Sequence, residues 1–217
     1  MNNNENLDME TIMEEHEAWL KEEPDGKQAD LRFMDLQGVD MTFSVLSNSL
    51  MQESNLTKAD MFGADLSGTE FNFADLTQAN LHGANLNGST FLYTTMQKAD
   101  LNGADMDNTL LYGADLSNSD LSEASFINSN LEKANLSDTN LWFTDFSGAN
   151  LSGANLRNAR LYHTDLSDTN LKNADLRGAY LKNVNFDGVD LTDTLLDQNV
   201  RRDLYMMNEI NNEFEIE

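Results

Sequence analysis

Ala149-Asn150-Leu151-Ser152-Gly153-Ala154-Asn155-Leu156 repeats itself after five residues, and that period decides the fold. Followed outward, the third position of the pentapeptide is Leu, Phe or Met in 34 consecutive units, from Leu31 through Phe71 and Phe126 to Phe186, Leu191 and Leu196. Nothing is inserted or deleted between residues 29 and 198. A residue recurring every five positions advances about 140° net around an α-helix, which scatters it around the axis instead of forming a stripe. On one straight strand an odd spacing sends alternate side chains to opposite faces, and strands seldom exceed about 10 residues. A chain that turns a corner in every pentapeptide escapes both problems. Each third position then points at a common axis, and stacked coils bury one continuous column.

The other positions agree. Two before the apolar residue stands Ala, Ser, Thr or Val, as at Ala59, Ala64, Thr69 and Ser89, with Met34 the bulky exception in the first coil. Small side chains fit where a corner crowds the axis. The residue just before the apolar one is Asp or Asn in 24 units, which suits short polar side chains that bond nearby backbone and tolerate turns. Two after it Gly recurs, at Gly63, Gly68, Gly83 and Gly153 among others, where positive φ costs least.

With these residues in view the chain resembles the pentapeptide-repeat family, whose consensus is A(D/N)LXX and which the stretch from Ala149 to Leu156 matches residue for residue. The resemblance implies an all-β fold, a right-handed quadrilateral β-helix with four pentapeptides per coil. The 34 units would then make about 8.5 coils, roughly 40 Å long at a strand spacing of about 4.8 Å.

The flanks read as accessories, giving a leader at 1–28, a solenoid at 29–198 and a C-terminal segment at 199–217. Met9, Ile12, Met13, His16, Trp19 and Leu20 fall at helical spacing within Asp8 to Glu23, and Pro24-Asp25-Gly26 ends the pattern. This predicts a helix that covers the open, greasy end of the first coil; recruitment of a partner is the other reading. The C-terminal segment carries Leu204, Tyr205, Met207, Ile210 and Phe214, too apolar to stand in water alone. It reads as a tail or helix that caps the last coil or, as the resemblance implies, joins two copies end to end in a homodimer.

The net charge of −25 divides as −7, −15 and −3 over the three segments. Dealt in rotation onto four sides, the units leave one side without Lys or Arg, carrying Asp65, Asp105, Asp107, Asp145, Asp165, Asp168 and Asp187. Two readings of that side stay open: an acidic surface that keeps a rod soluble, or one that imitates the negative rod of DNA. The resemblance sharpens the second. The family's best-studied members, of the Qnr and MfpA types, are dimeric DNA-shaped proteins that bind type II topoisomerases, so DNA gyrase or topoisomerase IV is the implied partner and quinolone resistance the implied setting. This chain lacks the loops that interrupt Qnr coils. Direct nucleic-acid binding is not expected of so acidic a chain.

A second side exposes Phe62, Trp142, Phe143, Tyr162 and Tyr180 together with Phe43 and His163, and could either dock a protein or simply stack between coils. Phe33, Phe73, Leu92, Tyr93 and Tyr112 lie on the side across the rod, and basic residues gather late, at Arg157, Arg160, Lys172, Arg177 and Lys182.

Catalysis needs a convergent pocket, which a filled solenoid does not offer, so no enzyme is expected. His82 and His163 share a side but stand four coils apart, about 19 Å, too far to hold one metal. Asp105 with Asp107, or Asp165 with Asp168, are paired carboxylates without a loop cradle, weak candidates for calcium. No cofactor and no metal are expected. The absence of Cys, of a membrane-length apolar run and of a signal-peptide core predicts a cytoplasmic protein.

Overall fold

The computed structural model describes residues 8–211, with side chains to 206. Helix α1 spans Met9–Leu20 and helix α2 spans Gln198–Asn211. Between them the backbone pairs in parallel with a constant offset of 20 residues, from Asp30 with Leu50 to Asp175 with Leu195. A coil is therefore four pentapeptides, as the resemblance implies. Among the described residues regular strand is confined to β1, Arg160–Tyr162, and β2, Tyr180–Lys182, which pair with each other in the same register. Elsewhere each side contributes a single bridged residue. The sequence reading of an all-β chain is corrected to this extent: the corner takes most of each pentapeptide and leaves one residue extended. The helix expected in the leader is present as α1, and the C-terminal segment, expected as a tail or helix, contributes α2.

Most units repeat four backbone bonds. The third- and fifth-position N–H groups donate to the coil ahead, as Leu31 to the Leu50 carbonyl at 2.7 Å and Phe33 to Gln52 at 3.0 Å. The second-position N–H donates to the coil behind, as Leu50 to Ala29 at 2.9 Å. The next first-position N–H closes the corner onto the Leu carbonyl, as Ala79 to Leu76 at 2.9 Å. Positive φ at the fifth position but not the fourth makes this a type II turn. The third-position side chains form one column, almost all fully buried, with Phe71 stacked on Phe91 at 4.9 Å and Phe126 on Phe146 at 5.0 Å. Most Ser and Thr at the first position are also buried; several hydroxyls bond a third-position carbonyl of the preceding coil, as Thr69 to Leu46, Ser89 to Leu66 and Thr164 to Leu141, while Ser44, Ser54, Thr109 and Thr139 bond the carbonyl of their own corner. The small slot thus carries hydroxyl rungs between coils, not only a steric allowance.

The ends are finished differently. Asp8 caps α1 by accepting from the Thr11 N–H and hydroxyl, and Met9, Ile12 and Met13 pack against the core. The chain then doubles back so closely that a Cβ on Gly26 would lie 2.2 Å from the Trp19 nitrogen. At the other end Asp197 accepts from the Asn199 and Val200 N–H groups, opening α2, and from the Gly178 N–H, tying the helix to the last full coil. Val200 is fully buried and Leu204 packs against the core.

Candidate functional site

The 20-residue coil stacks the seven predicted acidic residues along one side. Their main column reads Val45, Asp65, Asn85, Asp105, Ser125, Asp145, Asp165 and Asn185. Asp65, Asp105, Asp145 and Asp165 all accept from the backbone N–H two residues on, at 2.8 to 3.2 Å, so each braces its own corner. Asn85 and Asn185 donate across the coil to Asp65 and Asp165. Asp107 accepts from the Ser125 hydroxyl and the Ile127 N–H. Only Asp145 and Asp165 face each other as like charges in adjacent coils of this column; amides and hydroxyls separate the rest. Burial raises the pKa of the Asp165 carboxyl, but bonds from Ser167 and Asn185 outweigh it and hold the group below its ordinary value. Asp168 and Asp187 are exposed, while the other five are half-buried. The side is continuous and free of base, and most of its charge is also structural.

The aromatic side is brought together in two separate clusters. Early in the rod Phe43 meets Phe62 edge-on at 5.2 Å, and Phe62 stacks on His82 at 5.3 Å. Late in the rod Trp142 meets Tyr162 at 5.3 Å, Phe143 stacks on His163 at 5.0 Å, and Lys182 Nζ lies 4.9 Å above the Tyr162 ring. The stacking of aromatic rungs is therefore realised. Even so, Trp142, Phe143 and Tyr180 remain 45%, 55% and 54% exposed.

A family model for pentapeptide repeats matches the chain in eight copies, over segments that run from residue 27 to residue 198. The chain belongs to the pentapeptide-repeat family. Among solved pentapeptide-repeat structures it is similar to HetL of the cyanobacterium Nostoc, a protein involved in heterocyst differentiation regulation, at 28% identity over 79% of this chain and 84% of that one, with a TM-score of 0.39. It is similar to QnrB1, a plasmid-mediated fluoroquinolone resistance protein, at 24% identity over 78% and 84%, with a TM-score of 0.43. Rfr23 of Cyanothece is 38% identical over 46% of this chain and 61% of that one, with a TM-score of 0.23. A comparison with curated proteins found no match.

Among the described residues no three His, Asp or Glu gather where a metal ion could sit, and no helix is long and apolar enough to cross a membrane. Asp105 accepts from the Asp107 N–H, and Asp107 from the Ser125 hydroxyl and the Ile127 N–H. Of the predicted dimer residues, Leu204 is half-buried against the chain's own core and Tyr205 is 53% exposed. The side chains of Met207, Ile210 and Phe214 lie outside the described residues.

Sequence reasoning passed over two groups. The helical spacing places His16 among the apolar positions of the leader, yet it is fully buried and bonded at both ring nitrogens. Asp175 receives bonds from Arg177 and Arg157, and the Arg177 bond chiefly lowers its pKa to about 2. The 18-residue and two-residue spacings of those arginines from Asp175 were legible once the 20-residue coil was in hand.

Proposed function

We propose that this protein is a non-enzymatic interaction rod, a right-handed quadrilateral β-helix whose acidic side engages a basic protein surface built to hold DNA. A type II topoisomerase, DNA gyrase or topoisomerase IV, is the partner the family resemblance points to, and competition with DNA or protection from DNA-directed inhibitors is the outcome. The observation that carries this reading is the side bearing Asp65, Asp105, Asp107, Asp145, Asp165, Asp168 and Asp187 without one Lys or Arg. Charge density sets its scale. From residue 29 to 198, 24 carboxylates against 9 bases leave −15 over a rod of roughly 40 Å, about one net charge per 2.7 Å, within a factor of two of duplex DNA at about 1.7 Å.

The test uses Asp65, Asp105, Asp145 and Asp165 changed together to Asn. Asn already fills the same slot at Asn85 and Asn185, where its side-chain oxygen accepts the same corner bond, so the variant keeps the turns and removes four charges. Wild-type protein is expected to alter gyrase supercoiling in the presence or absence of a fluoroquinolone, with weaker salt dependence and weaker binding in the variant. No effect of the wild type at micromolar concentration sinks the topoisomerase reading; unchanged binding and salt slope in the variant reduces the acidic side to solvation.

The second reading, a scaffold that docks a protein through its aromatic side, is favoured by the exposure of Trp142, Phe143 and Tyr180. In either case α2 is proposed to join two copies, through Tyr205 and the apolar residues that follow it. Sedimentation tests this: Tyr205→Glu with Met206→Glu is expected to give a monomer, and a variant that sediments as the wild type does refutes it.

A further inference from the structure

The late half of the aromatic side has a chemistry opposite to the rest of the molecule. Its columns are Trp142, Tyr162 and Lys182, and beside them Phe143, His163 and Asn183, each one coil apart. Phe143, His163 and Asn183 all hold positive φ, between 52° and 56°, so their side chains leave the corner in one direction. Tyr162 meets His163 at 4.8 Å, and the Asn183 amide donates to His163 Nε2 at 3.1 Å. The rings are thus locked to one another while Trp142, Phe143 and Tyr180 stay about half exposed.

Charge follows the same boundary. The three coil sides 139–143, 159–163 and 179–183 contain Arg160 and Lys182 and no carboxylate. Arg160 is exposed and makes no ion pair among the described residues. On the adjoining side Arg157 and Arg177 share one carboxylate, Asp175. The coil before the platform is acidic again, with exposed Asp120 and Glu123. The pairing of β1 with β2 falls here as well, among the described residues the one place where a side runs extended for three residues.

We propose that this platform docks a short acidic segment of another protein, with apolar side chains laid on Trp142, Phe143 and Tyr180 and carboxylates reaching Arg160 and Lys182. Charge complementarity selects the occupant, because an isolated basic patch on a chain of net charge −25 attracts anions only within about a Debye length, some 8 Å at physiological salt. Its size selects a peptide over a nucleic acid strand. Three coils span about 10 Å along the rod, roughly three extended residues. A longer polyanion would run onto Asp120 and Glu123. The proposal deepens the scaffold reading and rests on it, and it is independent of the acidic side. Together the two sides would let one rod hold a basic surface and an acidic segment at once.

With Trp19→Phe, Trp142 is the one tryptophan that remains, since the chain has two. Titration of that variant with a short synthetic peptide of Glu and Leu is expected to change Trp142 emission saturably and less strongly as salt rises. Adding Arg160→Glu and Lys182→Glu is expected to weaken binding about tenfold or more. The fourfold Asp→Asn variant of the acidic side is expected to bind the peptide as the parent does, so failure here and failure of the topoisomerase reading are told apart. An unchanged emission, an equal response to a Lys and Leu peptide, or binding that survives the charge reversal overturns the proposal. So does a response to oligothymidylate alone, which would assign the platform to nucleic acid. Loss of self-association on charge reversal, without peptide binding, would assign it to a second copy and likewise overturn the proposal.

Discussion

At the residue scale the fifth position of the pentapeptide carries the conformational cost of the fold. Every fifth position from 33 to 193 has positive φ, yet only 11 of these 33 residues are glycine. Phe33, Phe43, Phe73, Tyr93 and Phe143 are among those forced into the left-handed region, at about 1–2 kcal/mol each. They stay because the neighbouring coil fixes their N–H groups, as Tyr93 to the Tyr112 carbonyl at 3.0 Å, and because the rings of Phe43, Phe73, Tyr93 and Phe143 gain aromatic partners. Glycine therefore marked the turn in a third of the units and hid it in the others. Gly83 isolates the backbone cost, since an added Cβ there meets nothing within 4 Å at a φ of 63°. Gly83→Ala is expected to destabilise by about 1 kcal/mol in urea denaturation with an unchanged slope. No loss would show that the turn tolerates side chains freely. Thr144 tests the hydroxyl rungs in the same way: its bond to the Leu121 carbonyl is 2.8 Å and fully buried, so Thr144→Val is expected to cost about 1 kcal/mol by the same denaturation.

At the element scale α1 is held by one imidazole that stands in for a missing coil. In the repeat, a fourth-position carbonyl accepts from the fifth-position N–H of the coil behind, as Ser67 does from Asn48 at 2.7 Å. Ser47 has no coil behind it and accepts from His16 Nε2 at 2.9 Å instead. The Ala29 N–H, which begins the first unit, donates to His16 Nδ1 at 2.9 Å. Because an N–H can only donate, Nδ1 is the bare nitrogen and the ring is neutral. Burial lowers the His16 pKa, against a smaller opposing effect of the Ser47 bond. The unfolded chain therefore takes up the proton first. The stability His16 contributes is complete above its ordinary value of 6.5, declines as pH falls below 6.5, and levels off under the lowered folded value. Trp19 fluorescence in a Trp142→Phe background is expected to report loosening of α1 over that window. His16→Gln is expected to abolish the dependence, and a transition that persists in the variant would place the titrating group elsewhere. The helix was legible in the spacing of Met9, Ile12, Met13 and Trp19. The role of His16 was not, because its two partners lie 31 and 13 residues away.

At the scale of the whole molecule each coil touches only its neighbours, so stability adds along the rod and a break in the middle separates two halves. Phe91, stacked on Phe71 and fully buried, lies inside the column, whereas Leu196 at its end is only half-buried. Phe91→Ala is expected to cost about 3–5 kcal/mol and Leu196→Ala clearly less, by thermal or urea unfolding; equal losses would mean that the rod does not end in weaker coils. By itself the sequence determined the register, the column of 34 apolar residues, the base-free acidic side and the two accessory ends. A strict period does this because it needs no knowledge of distant contacts: once the coil length is known, residues 20 apart are neighbours. Only the tertiary structure decided that the acidic residues double as corner braces interleaved with amides, that His16 completes an open edge, and that the late aromatic residues share one platform with Arg160 and Lys182. Each of these depends on which backbone groups the adjoining coil leaves unpaired and on where side chains turn at a corner. Those are properties of the stacked rod and not of any one pentapeptide.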